Sequence, residues 1–343
     1  MAANAGQVAV DLPAKVKALM PELVKDLIGL VEIPSVSQAG SAPAEVLRAG
    51  EAVASLLQGS GINDVRFLPI TGDHGDAAPL VYANHPCAGA PAGTPTVLLY
   101  AHYDVQPAGA WTDAFRPRQV DQRLFGRGAA DDKSGIMMHL GAIRAFAGKP
   151  PVHLKVVIEG EEETGGGTLE AFVSNPENHG LFQADVVVVA DTGNWAVGEP
   201  ALTTTLRGMA AADVTVRTLA APVHSGVYGG PAPDAFMALA RILSALHDAE
   251  GVVTVPGLLR PPWTGVEMTE DEYRHDAGVL PGVSLIGSGS VSQRLYSTPA
   301  INVVGLDGVP SLSAATNALR DRVTARISLR LAPGERPARP SRS

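Results

Sequence analysis

Four groups of residues in this chain carry side chains able to hold a cation or move a proton. They are His102 with Asp104, the pair Asp131-Asp132, the acidic run Glu161-Glu162-Glu163, and Asp191. Taken singly, each has an ordinary explanation: a core histidine, a helix cap, a solvated run, a turn former. Their positions in the chain argue for more. His102 and Asp104 follow the continuous apolar run at 96–101, the acidic run follows a strand candidate at 152–158, and Asp191 follows a third at 185–190. Apolar runs of this length predict buried parallel strands. In open parallel sheets, ligands collect beyond the carboxyl ends of the strands. The four groups are therefore predicted to converge on one crevice. Carboxylates crowded in that way repel one another and their pKa values rise, a cost that a pair of divalent cations removes. Histidine and carboxylate donors without thiolate suit zinc, with manganese or cobalt as alternatives. Residues i and i+2 of an extended segment face the same side. Asp104 is thereby placed to accept the second ring N–H of His102 and fix its orientation.

The elements that must position these groups can be read from periodicity. Residues 11–31 carry an apolar stripe at helical spacing despite Pro21, and a second helix runs to Gly59 behind what reads as a capping box at Ser41–Glu45. Short strands are predicted at 64–69 and 79–83, and a helix at 134–147. Strand, helix and strand in alternation indicate an α/β fold with a mostly parallel sheet. The character changes after Arg207-Gly208. Residues 210–218 and 323–331 alternate like half-exposed strands, and 234–250 reads as a helix N-capped by Asp234 and closed by Gly251. Domains are expected at 1–206 and 207–332, the second of α+β type. A Pro/Arg-rich tail at 333–343 is expected to be disordered.

Bulk properties remove other classes. A length of 343 residues suggests about two domains. A net charge of -9 argues against a nucleic-acid surface. The single cysteine, Cys87, excludes an internal disulfide framework and a cysteine-based metal site. No leader-like apolar segment and no run of membrane-spanning length are apparent, so a cytoplasmic protein without membrane attachment is expected.

Four segments together resemble the M20 metallopeptidase family. They are His102–Pro107 (HYDVQP), Gly126–Lys133 (GRGAADDK), Glu159–Gly165 (EGEEETG) and His224–Gly230 (HSGVYGG), in the family's order. The VQP and VYGG forms resemble its dipeptidase, carnosinase-like branch. The resemblance implies a zinc-peptidase catalytic domain with an inserted α+β lid and dimerisation domain, two divalent metal ions, a small peptide substrate, and a homodimer formed through the lid. It implies that Asp131 bridges the metals, that His102 and Asp191 complete one site, and that Glu163 serves the other. Glu162 would be the general base acting on the bridging water, and Asp104 would be the other catalytic residue, orienting His102. His224 would stabilise the oxyanion in the neighbouring subunit's site, Arg330 would grip the substrate carboxylate, and Asn317 would also touch substrate. Family members continue past the point where this chain stops and there supply a last histidine ligand. No histidine follows His275 here, so a truncated chain with an incomplete second metal site is expected. Two alternatives stand beside the dipeptidase: an M20 amidohydrolase that deacylates N-acyl amino acids, and an inactive remnant.

Overall fold

The computed structural model describes residues 12–38, 41–72, 75–165 and 167–335. The predicted tail from 336 onward lies outside the described residues. The chain divides into two compact units, Met1–Ala201 and Leu202–Ser343. Among the described residues, no helix is long and apolar enough to cross a membrane.

The first unit is built on a five-stranded sheet. Helix α1 (Leu12–Val31) keeps Pro21 inside and buries Leu23, Leu30 and Val31. Helix α2 (Ala44–Gly59) follows. The capping box expected at Ser41–Glu45 does not form. Pro43 occupies the N-cap without a side-chain bond, its carbonyl accepts from Val46 and Leu47, and Glu45 pairs with Arg48. The strands are β1 (Val65–Leu68), β2 (Leu80–His85), β3 (Thr96–His102), β4 (His153–Glu159) and β5 (Val186–Val189), in the order β1-β2-β4-β3-β5. The sheet is mixed. Strand β3 runs parallel to β4 and β5, whereas β2 is antiparallel to both β1 and β4. The parallel half is the half that ends at the acidic groups.

Alternation along the strands sorts side chains onto two faces. Leu99, Ala101, Val156 and Ile158 pack with α1, α2 and the helix α3 (Lys133–Ala145). Leu98, Tyr82 and Val157 pack on the other face with Leu169 and Phe172 of α4 (Thr168–Ser174) and with Phe182. The strand at 186–189, expected to be buried, is not. Among the described residues it is the edge of the sheet, its only ladder is with β3, and its four valines are 41–57% exposed.

The second unit has its own antiparallel sheet, order β6-β10-β8, from β6 (Gly208–Arg217), β8 (Ala300–Asp307) and β10 (Arg322–Leu331). A short ladder joins β7 (Val223–His224) to β9 (Ala318–Leu319). Helix α5 (Ala235–Ser244) packs Ala235 and Leu239 against Val323 and Ala325 of the sheet. Asp234 caps it as expected, accepting from the Met237 N–H at 3.0 Å. The helix stops at Ser244, short of the expected 250. Downstream, the Asp248 carboxylate accepts from the N–H groups of Glu250 and Val252, which turns the chain away from helical geometry. Helices α6 (Glu270–Ala277) and α7 (Val291–Tyr296) also belong to the unit, and neither they nor β8 show in the sequence periodicity.

Candidate active site

His102 is the last residue of β3 and is fully buried. Its Nδ1 lies 3.1 Å from the Asp104 carbonyl and 3.3 Å from the Asp104 carboxylate. A proton on Nδ1 satisfies either acceptor and leaves the Nε2 lone pair directed at the crevice. Around Nε2 stand Asp131 Oδ1 at 3.0 Å, Asp191 Oδ1 at 3.7 Å and Glu162 Oε2 at 3.9 Å. One ligand atom from each of His102, Asp131 and Asp191 falls within a 4.8 Å cluster. Three of the four sequence groups thus meet in space, and the fourth, through Glu162, borders them.

Asp104 ties the site to the acidic turn after β4. Its carboxylate accepts from the backbone N–H groups of Glu162 (3.2 Å) and Glu163 (3.0 Å) while fully buried. Glu163 stands outside the three-residue cluster. Gln106 donates to both its carbonyl (2.8 Å) and its carboxylate (3.0 Å). Gln106 continues the 102, 104, 106 alternation on one side of the extended segment, the one sequence signal that points to it.

Asp131 is exposed and Asp132 is buried; the peptide bond between them is cis. Asp132 holds the N-cap position of α3 but makes no side-chain capping bond. Its Oδ2 accepts the His102 backbone N–H at 3.1 Å, and its Oδ1 has no hydrogen-bond partner. Gly135 makes this approach feasible, since a Cβ there would meet the Ala190 carbonyl at 2.6 Å and the Asp132 carboxylate as well. Lys133, also buried, reaches the other way and donates to the carbonyls of Leu30 (2.8 Å) and Ile33 (2.9 Å) at the end of α1.

The electrostatics call for positive charge. Burial opposes a charged imidazole at His102, yet the carboxylates of Asp104 and Asp191 facing the ring, with the charge of Asp132, push its pKa up to about 12. Burial, reinforced by neighbouring carboxylates, raises Asp132 to about 7, and raises Glu162 and Glu163 as well. Glu159 is raised to about 7, chiefly by burial, while accepting from the Tyr100 hydroxyl at 2.7 Å. A set of oxygen and imidazole donors that draws in a proton this strongly is a fitting host for a divalent cation.

The remaining candidates lie in the second unit. His224 and Asn317 are neighbours: β7 pairs His224 with Ala318, and the Ser225 N–H donates to the Asn317 carbonyl at 2.8 Å. The His224 Nδ1 accepts from the Gly226 N–H at 3.1 Å, so a neutral ring carries its proton on Nε2. Arg330 is exposed on β10, between Met209 and Ala300 of the flanking strands.

The chain is similar to known proteins over most of its length. The sequence profile of Peptidase family M20/M25/M40 matches residues 98–330. The chain is 42% identical over 267 residues to a cysteinylglycine-S-conjugate dipeptidase of Corynebacterium striatum, covering 75% of this chain and 57% of that protein. It is 30% identical over 338 residues to a Cys-Gly metallodipeptidase of Schizosaccharomyces pombe, covering 91% of this chain and 69% of that protein. The crystal structure of human carnosine dipeptidase 1 superposes with a TM-score of 0.76 at 26% identity, covering 95% of this chain and 73% of that one. The chain spans little more than half the length of the first of these relatives. With the profile matched over most of the chain and the acidic crevice built from the residues that carry the motifs, the protein belongs to peptidase family M20/M25/M40.

Proposed function

We propose that this protein is a metal-dependent dipeptidase. The observation that carries the reading is the meeting of His102, Asp131 and Asp191 donor atoms within 4.8 Å, with Glu162 3.9 Å from the same imidazole nitrogen. His102, Asp131 and Asp191 would hold one divalent ion, and Glu163 with Asp131 would serve a second. Zinc suits this donor set best, with manganese or cobalt as alternatives. The ions, when bound, supply Lewis-acid polarisation of the scissile carbonyl and make water more acidic.

The protein's own groups do the rest. Glu162 takes the proton of the attacking water and passes it to the leaving amine. Its raised pKa, from burial and from Asp191 and Glu163 nearby, brings it closer to the pH where both transfers are efficient. Asp104 acts through others, orienting His102 and anchoring the turn that presents Glu162 and Glu163. In the second unit, the Nε2–H of His224 is a donor suited to a developing oxyanion, and Arg330 offers a planar fork to a substrate carboxylate, with Asn317 beside His224 as a further contact. A homodimer formed through the second unit would bring His224 to the neighbouring subunit's site. The dipeptidase names of the relatives direct the substrate search to Cys-Gly, its S-conjugates and β-Ala-His.

The test pairs metal content with hydrolysis of a panel of these dipeptides and of N-acyl amino acids. Metal uptake with dipeptide turnover is expected. Glu162→Gln should keep the metal and lose activity by about 10²–10⁴-fold, the usual size of a general-base contribution. Turnover confined to the N-acyl compounds would replace the dipeptidase reading with a deacylase, and failure to take up metal would end both.

A further inference from the structure

The second unit contains a cavity of about 480 Å³ that the proposed chemistry does not use. Its walls are mainly aliphatic, from residues such as Val253, Val283 and Ile301. Its polar lining includes Arg207, Arg260, Arg294 and His247, and no Asp or Glu contributes to it. Three guanidiniums therefore share one concavity without a lining carboxylate.

Their hydrogen bonds sharpen the point. Arg260 donates to the Val253 carbonyl, and Arg294 to those of Ile286 (3.0 Å) and Ser290 (3.4 Å). Arg207 is half-buried and reaches only the carbonyls of Arg294 and Thr298, each at 3.5 Å, the outer limit of a hydrogen bond. Among the described residues, none of the three arginines forms an ion pair. Burial, followed by the like charge of Arg330, lowers the Arg207 pKa. A partly desolvated guanidinium with weak neutral partners is costly unless an anion joins it.

We propose that this cavity binds a small carboxylate carried on an uncharged, apolar body. The Arg207 fork receives the carboxylate, and the aliphatic walls receive the body. The ligand's other end is uncharged because no lining carboxylate is there to accept an ammonium. A short branched acid or an N-blocked amino acid has this form. Arg330 does not line this cavity, although its strand partner Ala300 does and its charge is felt at Arg207.

Isothermal titration of the full chain tests this with 4-methylpentanoate, which has no bond for a peptidase to cut. Saturable 1:1 binding is expected, with affinity for 4-methylpentanamide, leucine and inorganic phosphate lower by about tenfold or more, the scale of one charge-assisted hydrogen bond. Arg207→Met should abolish binding, Arg207→Lys should retain part of it, and Arg330→Met should change it far less than Arg207→Met does. Should Arg207→Met fail to fold, Val283→Trp at the half-exposed rim should block binding instead. Equal binding of the amide or of phosphate, or equal loss in the Arg207 and Arg330 variants, would overturn the proposal. The dipeptidase reading is untouched by either result, because its test reads metal and turnover.

Discussion

Asp104 holds three donors at once: the His102 ring and the backbone N–H groups of Glu162 and Glu163. Its sequence position disclosed the first of these, because residues 102 and 104 share a side of an extended segment. The other two could not be read, since they cross 58 and 59 positions of chain. The same holds for Gln106, whose bonds to Glu163 span 57 positions. Asp104→Asn removes the negative charge and turns an amide toward at least one N–H. Metal affinity should fall about 10–100-fold, as for other residues that orient ligands, and competition against a chelator measures it. Unchanged affinity would show that the carboxylate orients nothing.

At the scale of elements, α3 ties the Asp131-Asp132 turn to the rest of the first unit. Lys133, its first residue, bonds carbonyls at the end of α1, and His139 lies 2.8 Å from the Tyr100 carbonyl of β3 through Nε2. The helix itself was legible from Ile136, Leu140 and Ile143, but the inward reach of Lys133 was not, since a lysine next to two aspartates reads as solvated. Lys133→Met should leave two buried acceptors unmet at about 1–3 kcal/mol each, visible as a lower denaturant midpoint. Burial holds His139 below its ordinary value of 6.5. The unfolded chain therefore takes up a proton first. Stability is whole above pH 6.5 and declines as the pH drops toward the depressed folded value. His139→Gln keeps a donor without titrating, so its stability curve should be flatter than the parent's over that interval; parallel curves would exclude His139 as a source.

For the whole molecule, the parallel half of the first sheet was readable because apolar runs ended abruptly at acidic residues. The antiparallel half was less so, since short strands such as Val65–Leu68 carry no mark of direction. Most of the second unit between 251 and 307 escaped because it is Gly- and Pro-rich and its helices are only six to eight residues long. We propose that this unit is the lid and dimerisation domain. Strand β5 adds a property that belongs to the molecule as a solute. Val186–Val189 is an uncharged, β-branched segment with one ladder partner among the described residues and side chains exposed to water. Free N–H and C=O groups along such a border recruit any extended chain of matching pattern, including another molecule's identical valines. Concentrated solutions of this protein should therefore self-associate through sheet extension, and a charged replacement at Val187 should keep them clear in light scattering.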